Sequence, residues 1–366
     1  MHIKLYAADP LTNFIRGKLN FSPGKAAISL LLLLNIPVFV LASIYNLWGT
    51  GSFGTGLFND YAWWGYQITG VPATLFFFFW LPDGILDVLN GLRTNKVIQT
   101  NEQTSHNDNY QSFMARFIKV YSNRAWVILA LVGVTLIMWF GIIPEQRNFI
   151  SWQTANNIVF WYHELFWYIA FSIGAVALLK VSITLYWFNR IFVEFKADVR
   201  VLHPDMAGGL SPLGNFSVKI GYMIGIFGFT FVMVIWSQSA YLIKNWDFST
   251  SINPALVGFS FLYLILAPIV FFAPIGSAHS AMQKARHDFV IAISDQFEKD
   301  FSEVQRFLDK DSDELKRKLD KIEYLQKVHN MATRFPVWPF NTESLVRFFS
   351  SVFLPVVVGM IPSITN

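Results

Sequence analysis

The sequence predicts an all-α integral membrane protein with seven transmembrane helices, its N-terminus cytoplasmic and its C-terminus outside. Three observations carry that expectation. Of 366 residues only 14% are charged and 54% are hydrophobic, whereas soluble domains carry about 25% charged residues. The apolar residues fall in seven continuous runs, each long enough or nearly so to cross a hydrocarbon core of about 30 Å at roughly 1.5 Å per residue. Lys and Arg are distributed unevenly between alternate connections, 24 on one side and 2 on the other, which places the rich side in the cytoplasm. A soluble protein of this composition would expose large apolar patches and associate. Continuous rather than alternating runs exclude the outer-membrane barrel.

Span one is expected at 26–48. It begins well into the chain, ends at Tyr45 and Trp48 and lacks a small-residue cleavage site, so it reads as a retained helix rather than a signal peptide. The Gly-rich GTGSFGTG (49–56) is a flexible outer turn. Span two is expected at 62–81, and the inner segment 82–124 begins with Pro82 and breaks in the polar run TNEQTSHNDN (100–109). Its last part is amphipathic, with Phe113, Phe117 and Val120 on one face and Arg116, Lys119 and Arg124 on the other. That pattern suits a helix lying at the inner interface with its cations towards anionic lipid.

Spans three to six are expected at 125–143, 158–189, 220–243 and 255–278. Beyond them, Phe289, Ile293, Phe297, Phe301, Val304 and Leu308 recur at helical spacing. A polar break follows, where Asp311 and Glu314 have the spacing of a capping box. Leu315, Leu319, Ile322, Leu325 and Val328 then form a second stripe, so the segment reads as an antiparallel helical hairpin. Eleven acidic and eleven basic residues within 279–335 balance, so nucleic acid is not an expected partner. RFPVWPFN (334–341) leads back to the membrane, its prolines ending the helix and its aromatics suiting the interface. Span seven is expected at 344–364. Three regions result: 1–278 with spans one to six, 279–335 as the cytoplasmic hairpin, and 336–366 as link and last span.

Chemistry is sparse. Cysteine is absent, the seven His are scattered, and neither a nucleophile motif nor a Gly-rich phosphate loop occurs. The chain is therefore expected not to be an enzyme, with no catalytic, cofactor-binding or metal-ligating residues and no cofactor. The candidate ligand or gating residues are His203, Asp205, Gly208 and Gly209 in HPDMAGGLSPLG (203–214), where consecutive glycines permit positive φ. The alternative there is a tight structural turn with local caps. Ionisable and polar residues inside spans form the second group: His163, Glu164, Lys180 and Gln238. His163 and Glu164 are read beside an aromatic belt near the outer interface. Lys180 either snorkels to the inner surface or, if deep, takes Asp83 or Asp87 as counter-charge.

The motifs HPD-x-x-GGL and WPF resemble those of uncharacterised bacterial multi-span membrane proteins, a likeness that covers 203 to the end and implies no activity. The seven-span topology with a helical cytoplasmic segment before the last span is similar to that of insect chemoreceptor channels, by arrangement rather than motif. Together these readings predict a multi-pass inner-membrane channel or transport protein for an ion or small solute, assembling as a homo-oligomer. The alternative is a membrane-embedded sensor or scaffold whose hairpin engages a soluble cytoplasmic partner.

Overall fold

A computed structural model of the chain describes residues 5, 9–52, 54–98, 106–148, 150–195, 197–245, 254–307, 313–340, 345–346, 348–350 and 352–353. Side chains at 106–109, 231–232, 234–245, 254–262, 274, 306–307 and 314 lie outside that description. Among the described residues every regular element is helical, and the β pairing is limited to isolated bridges.

The chain opens with α1, Pro10–Thr12, which passes into a π-helical turn, Asn13–Lys18. Next comes α2, Pro23–Ile44, started by Ser22, whose hydroxyl accepts from Lys25 N, with Pro23 at the first helical position. Asp60 caps α3, Tyr61–Gly65, by accepting from Trp63 N at 2.9 Å. A π-helical turn, Tyr66–Gly70, joins α3 to α4, Val71–Thr94. After α5, His106–Tyr121, Asn123 caps α6, Arg124–Ile137, which continues through Met138–Ile142 into α7, Ile143–Gln146. Asn156 caps α8, Asn157–Glu194; then come α9, Ser211–Asn245, α10, Pro254–Phe272, α11, Gly276–Phe307, and α12, Asp313–Thr333.

Four of these helical stretches are long and apolar enough to cross a bilayer: Pro23–Ile44, Tyr61–Thr94, Tyr110–Gln146 and Asn157–Glu194. A fifth is added if Tyr263–Phe272 and Gly276–Gln305, bent by 48° at their junction, count as one. Their outer faces carry exposed aliphatic residues, among them Leu32, Leu33, Ile128, Val132, Leu178 and Ile269. A water-exposed bundle buries such residues, whereas lipid solvates them. The run 220–243 lies within α9 but half of its side chains fall outside the description, and the run 344–364 falls mostly outside it.

Three elements add to the sequence expectations. The second helix runs beyond the expected span: Tyr61–Thr94 continues for 34 residues with Pro82 buried inside α4. Packed neighbours satisfy the carbonyl that a proline frees, so the ring need not end a membrane helix. The apolar face of the amphipathic α5 is covered by protein. Phe113, Met114, Phe117 and Tyr121 are buried, with Phe113 and Phe117 against Trp187 of α8, and Arg116 donates to Glu194 at 2.6 Å. Finally, the N-terminal segment packs against the helices, with Leu5, Asp9 and Thr12 buried.

Helices α11 and α12 lie side by side. Glu303 pairs with Lys318 and Asp300 with Lys321, each at 2.8 Å, and Arg286 donates to the Thr333 carbonyl at 2.6 Å, so the two run in opposite directions. Ile293 and Val304 are buried; Phe297 is half-buried and stacks on Phe301, which is exposed like Leu319. The polar break at 308–312, with Asp311 of the expected capping box, lies outside the described residues.

The two motifs that carried the resemblance meet in space. Phe335 is buried where a Cβ on Gly208 would strike it, and a Cβ on Gly214 would run into the Pro339 carbonyl. His279 of α11 stacks on Trp338 at 3.9 Å and contacts the Val337 carbonyl through Nδ1 at 2.7 Å. Gly214→Ala is therefore expected to lower stability by about 2 kcal/mol, the typical cost of forcing an extra carbon into a packed site. Thermal unfolding in detergent checks this, and an unchanged midpoint would mean that the link does not rest on this turn.

Candidate functional site

Buried polar groups gather at two levels of the bundle, and α8 carries one charged residue set at each. Towards the end that bears the 49–56 turn are His163 and Glu164, 1% and 3% exposed. Both side chains face inward among helices, with Trp167 buried beside them and Trp161 exposed. Tyr66 packs edge-on against Trp167 at 5.1 Å, and Lys180 Nζ lies over the Phe78 ring at 5.7 Å, so α3–α4 and α8 advance in step. Helix α2 runs the opposite way. Its Phe39 packs on Trp63 at 6.1 Å, while Tyr162 of α8 donates to the Leu34 carbonyl at 2.8 Å. Counting one turn along each helix from these contacts sets Asn35 level with Gln67, and both near the height of His163 to Trp167.

Hydrogen bonding there is incomplete. Asn35 and Gln67 are each 6% exposed and Trp63 is 2% exposed. Asn35 Nδ2 donates to the Leu31 carbonyl at 2.9 Å, but its Oδ1 finds no partner among the described residues. The same holds for both polar atoms of Gln67, Trp63 Nε1 and Glu164 Oε2. Gln67 occupies the π-helical turn, a widened backbone that is frequent at functional positions. Asp60 braces the surround. It accepts from Trp152 Nε1 at 3.0 Å and Gln153 Nε2 at 2.9 Å, and the Trp152 ring stands edge-on to Trp63 at 5.7 Å and His163 at 5.5 Å.

The tautomer of His163 follows from its neighbours. Trp167 Nε1, which only donates, lies 2.9 Å from His163 Nε2, so that nitrogen accepts and bears no proton. The ring proton is therefore on Nδ1, which faces Glu164 Oε1 at 3.4 Å. His163 is neutral in this arrangement.

The second level lies towards the other end. Lys180, 5% exposed, donates from Nζ to Asp9 Oδ2 at 3.0 Å and lies over the Tyr121 ring at 5.1 Å. Asp9 is also 5% exposed, and its Oδ1 accepts from Leu11 N and Thr12 N at 3.0 and 3.2 Å, capping α1. Lys180 thus neither snorkels nor uses Asp83 or Asp87. Asp83 is taken by Arg16, whose Nη1 donates to it at 2.5 Å and to the Phe79 carbonyl at 2.9 Å, and Asp87 is exposed. A nearby carboxylate is what makes a buried ammonium tolerable, and Asp9 reaches Lys180 because α1 folds back into the bundle.

The 203–214 segment is a closed turn. Asp205 Oδ1 accepts from Ala207 N and Gly209 N, both at 3.0 Å, and contacts His203 Nδ1 at 2.7 Å; Oδ2 accepts from Ser211 N at 3.2 Å. Gly208 and Gly209 have φ of +67° and +90°. A Cβ on either would meet Val199 or Val97, and Asn95 donates to the Gly209 carbonyl at 2.8 Å. Burial pushes the Asp205 carboxyl up, but the N–H groups of Gly209 and Ala207, then His203 and Ser211, outweigh it and bring the pKa down to about 2. This carboxylate is spent on its own turn. The four residues that sequence reading singled out here are brought together in this one turn.

Compared with family models, curated proteins and solved structures, the chain matches none. The site must be read from its own chemistry.

Of the sequence candidates, His163, Glu164 and Lys180 are buried in the bundle, while the Gln238 side chain lies outside the described residues. Asn35, Gln67, Asp9 and Arg16 were missed. The two amides had a signal, a single polar residue inside an apolar run. Asp9 and Arg16 lay in a segment assigned to the cytoplasm and had none.

Proposed function

We propose that this chain is a transport or channel protein for an ion or small solute, multi-pass in the cell inner membrane. The single observation behind this reading is the pair of buried polar levels, His163–Glu164 with Gln67 and Asn35, and Asp9–Lys180. Ionisable side chains within membrane helices are costly and mark ion or solute pathways by default. Seven spans, with the 49–56 turn outside and the 203–214 turn in the cytoplasm, follow from the Lys and Arg asymmetry. Helices α11 and α12 then form a cytoplasmic hairpin joined to the last span through the 334–341 link, and the protein assembles as a homo-oligomer.

Flux through purified protein in liposomes, with ion replacement, tests the reading. Glu164→Gln is expected to reduce flux at least 10-fold while leaving the folded fraction unchanged. Equal flux in protein-free and protein-loaded vesicles across the ions tried would remove it. A sensor or scaffold role is the second reading. It is favoured by the exposed apolar residues of the hairpin, Ile291, Phe301, Leu319 and Met331, on which a soluble partner would dock.

A further inference from the structure

We propose that Glu164 holds a single monovalent cation, a proton or an alkali ion, at a buried site formed with Gln67 and Asn35. The inference rests on the transport reading and names the charge that the upper polar level binds. It begins from a charge imbalance. Glu164 is 3% exposed, and an ionised carboxylate at such a place needs a positive partner, because desolvating it alone is prohibitive. His163 does not supply one. With Trp167 Nε1–H held on Nε2 at 2.9 Å, the imidazole is neutral and offers Glu164 only its Nδ1–H, at 3.4 Å.

Among the described residues, the other charged or titratable groups packed around this level are accounted for. Asp60 is itself acidic and is engaged by Trp63 N, Trp152 and Gln153. Tyr162 donates to the Leu34 carbonyl, and Tyr66 packs on Trp167. Lys180 lies more than four turns further along α8 and is paired with Asp9. Arg147 lies over the Phe160 and Trp161 rings, at 5.4 and 5.2 Å, rather than on a carboxylate. So none of these groups supplies the missing positive charge.

The unfilled atoms describe what does. Glu164 Oε2, Gln67 Oε1 and Asn35 Oδ1 are oxygens on three different helical segments, each buried and without a hydrogen-bond partner among the described residues. One carboxylate with two neutral carbonyl oxygens suits a singly charged cation, since a hard monovalent ion takes oxygen ligands and one carboxylate cancels its charge. A proton on Oε2 meets the same demand. It neutralises the carboxyl and turns Oε2 into a donor towards a carbonyl oxygen, Gln67 Oε1 or Asn35 Oδ1. Both occupants leave the site electrically neutral, and exchange between them conserves charge without an additional group.

The experiment uses the full-length protein in nanodiscs. Radioactive sodium binding is measured at two pH values, with infrared difference spectra recorded on changing pH and on adding NaCl. Saturable sodium binding that falls at least 10-fold in Glu164→Gln and weakens in Gln67→Leu and Asn35→Leu supports an alkali ion as the occupant. No sodium binding, with a protonated-carboxyl band that titrates in the parent and is missing in Glu164→Gln, supports the proton. Neither sodium binding nor a titrating carboxyl band assignable to Glu164 overturns the site. Unchanged unfolding midpoints in the variants keep folding out of the result. Binding without flux would sink the transport reading while leaving this one standing.

Discussion

Lys180→Met is expected to cost about 3–5 kcal/mol, the size of effect seen when one member of a buried ion pair is removed and its partner is left charged. The residue is 5% exposed and its ammonium lies 3.0 Å from Asp9 Oδ2. Losing it strands a carboxylate that also holds the first turn of α1. Asp9→Asn keeps an oxygen for Leu11 N and Thr12 N but leaves the Lys180 ammonium buried without its carboxylate, so it too is expected to destabilise. In the double variant Asp9→Asn/Lys180→Met no buried charge remains, and stability is expected to return to within about 1 kcal/mol of the parent, as for neutral replacements of buried pairs. Unfolding midpoints of all three proteins in one detergent decide it. A double variant no more stable than Lys180→Met would show that the pair is not coupled.

Asp205→Ala is the second large effect, about 2–4 kcal/mol, because bonds to a charged acceptor contribute about 1.5–3 kcal/mol and the backbone donors would be left in a tight turn. Three N–H groups and His203 converge on this carboxylate. Its folded pKa, about 2, is below the ordinary 3.8, so its contribution is fully present above the ordinary value and disappears as pH falls towards about 2. The parent should lose stability over that interval, and Asp205→Ala should lose less. Parallel acid titrations with the same slope would place the stabilisation elsewhere.

How far the sequence reaches can be judged residue by residue. Helical class was legible, and His163, Glu164 and Lys180 stood out as ionisable residues in apolar runs; that all three are buried was not. Helix ends were not. Tyr61–Thr94 and Asn157–Glu194 extend past their apolar runs because a helix continues into polar surroundings wherever neighbours pack on it, and α8 has α5 along its last turns. The counter-charge of Lys180 was out of reach for a different reason. Asp9 lies 171 positions away in sequence, and pairing at that separation is set by tertiary packing rather than by helical spacing. Gln67 and Asn35 were readable in kind but not in partnership, as nothing local says that residues on two antiparallel helices arrive at one level.

Helix α8 has a mechanical side. Prolines interrupt α2 at Pro37, α4 at Pro82 and α10 at Pro268, whereas α8 runs 38 residues with none. Proline is the usual place for a helix to flex; an uninterrupted hydrogen-bond ladder resists axial stretch. His163 and Glu164 near one end and Lys180 further along are therefore mounted on a single strut about 25 Å apart at roughly 1.5 Å per residue. Any axial displacement of α8 at the first pair would be carried along the same rod to Lys180 and its partner Asp9. The hinged helices can bend around such a rod, but the rod itself conveys displacement rather than absorbing it.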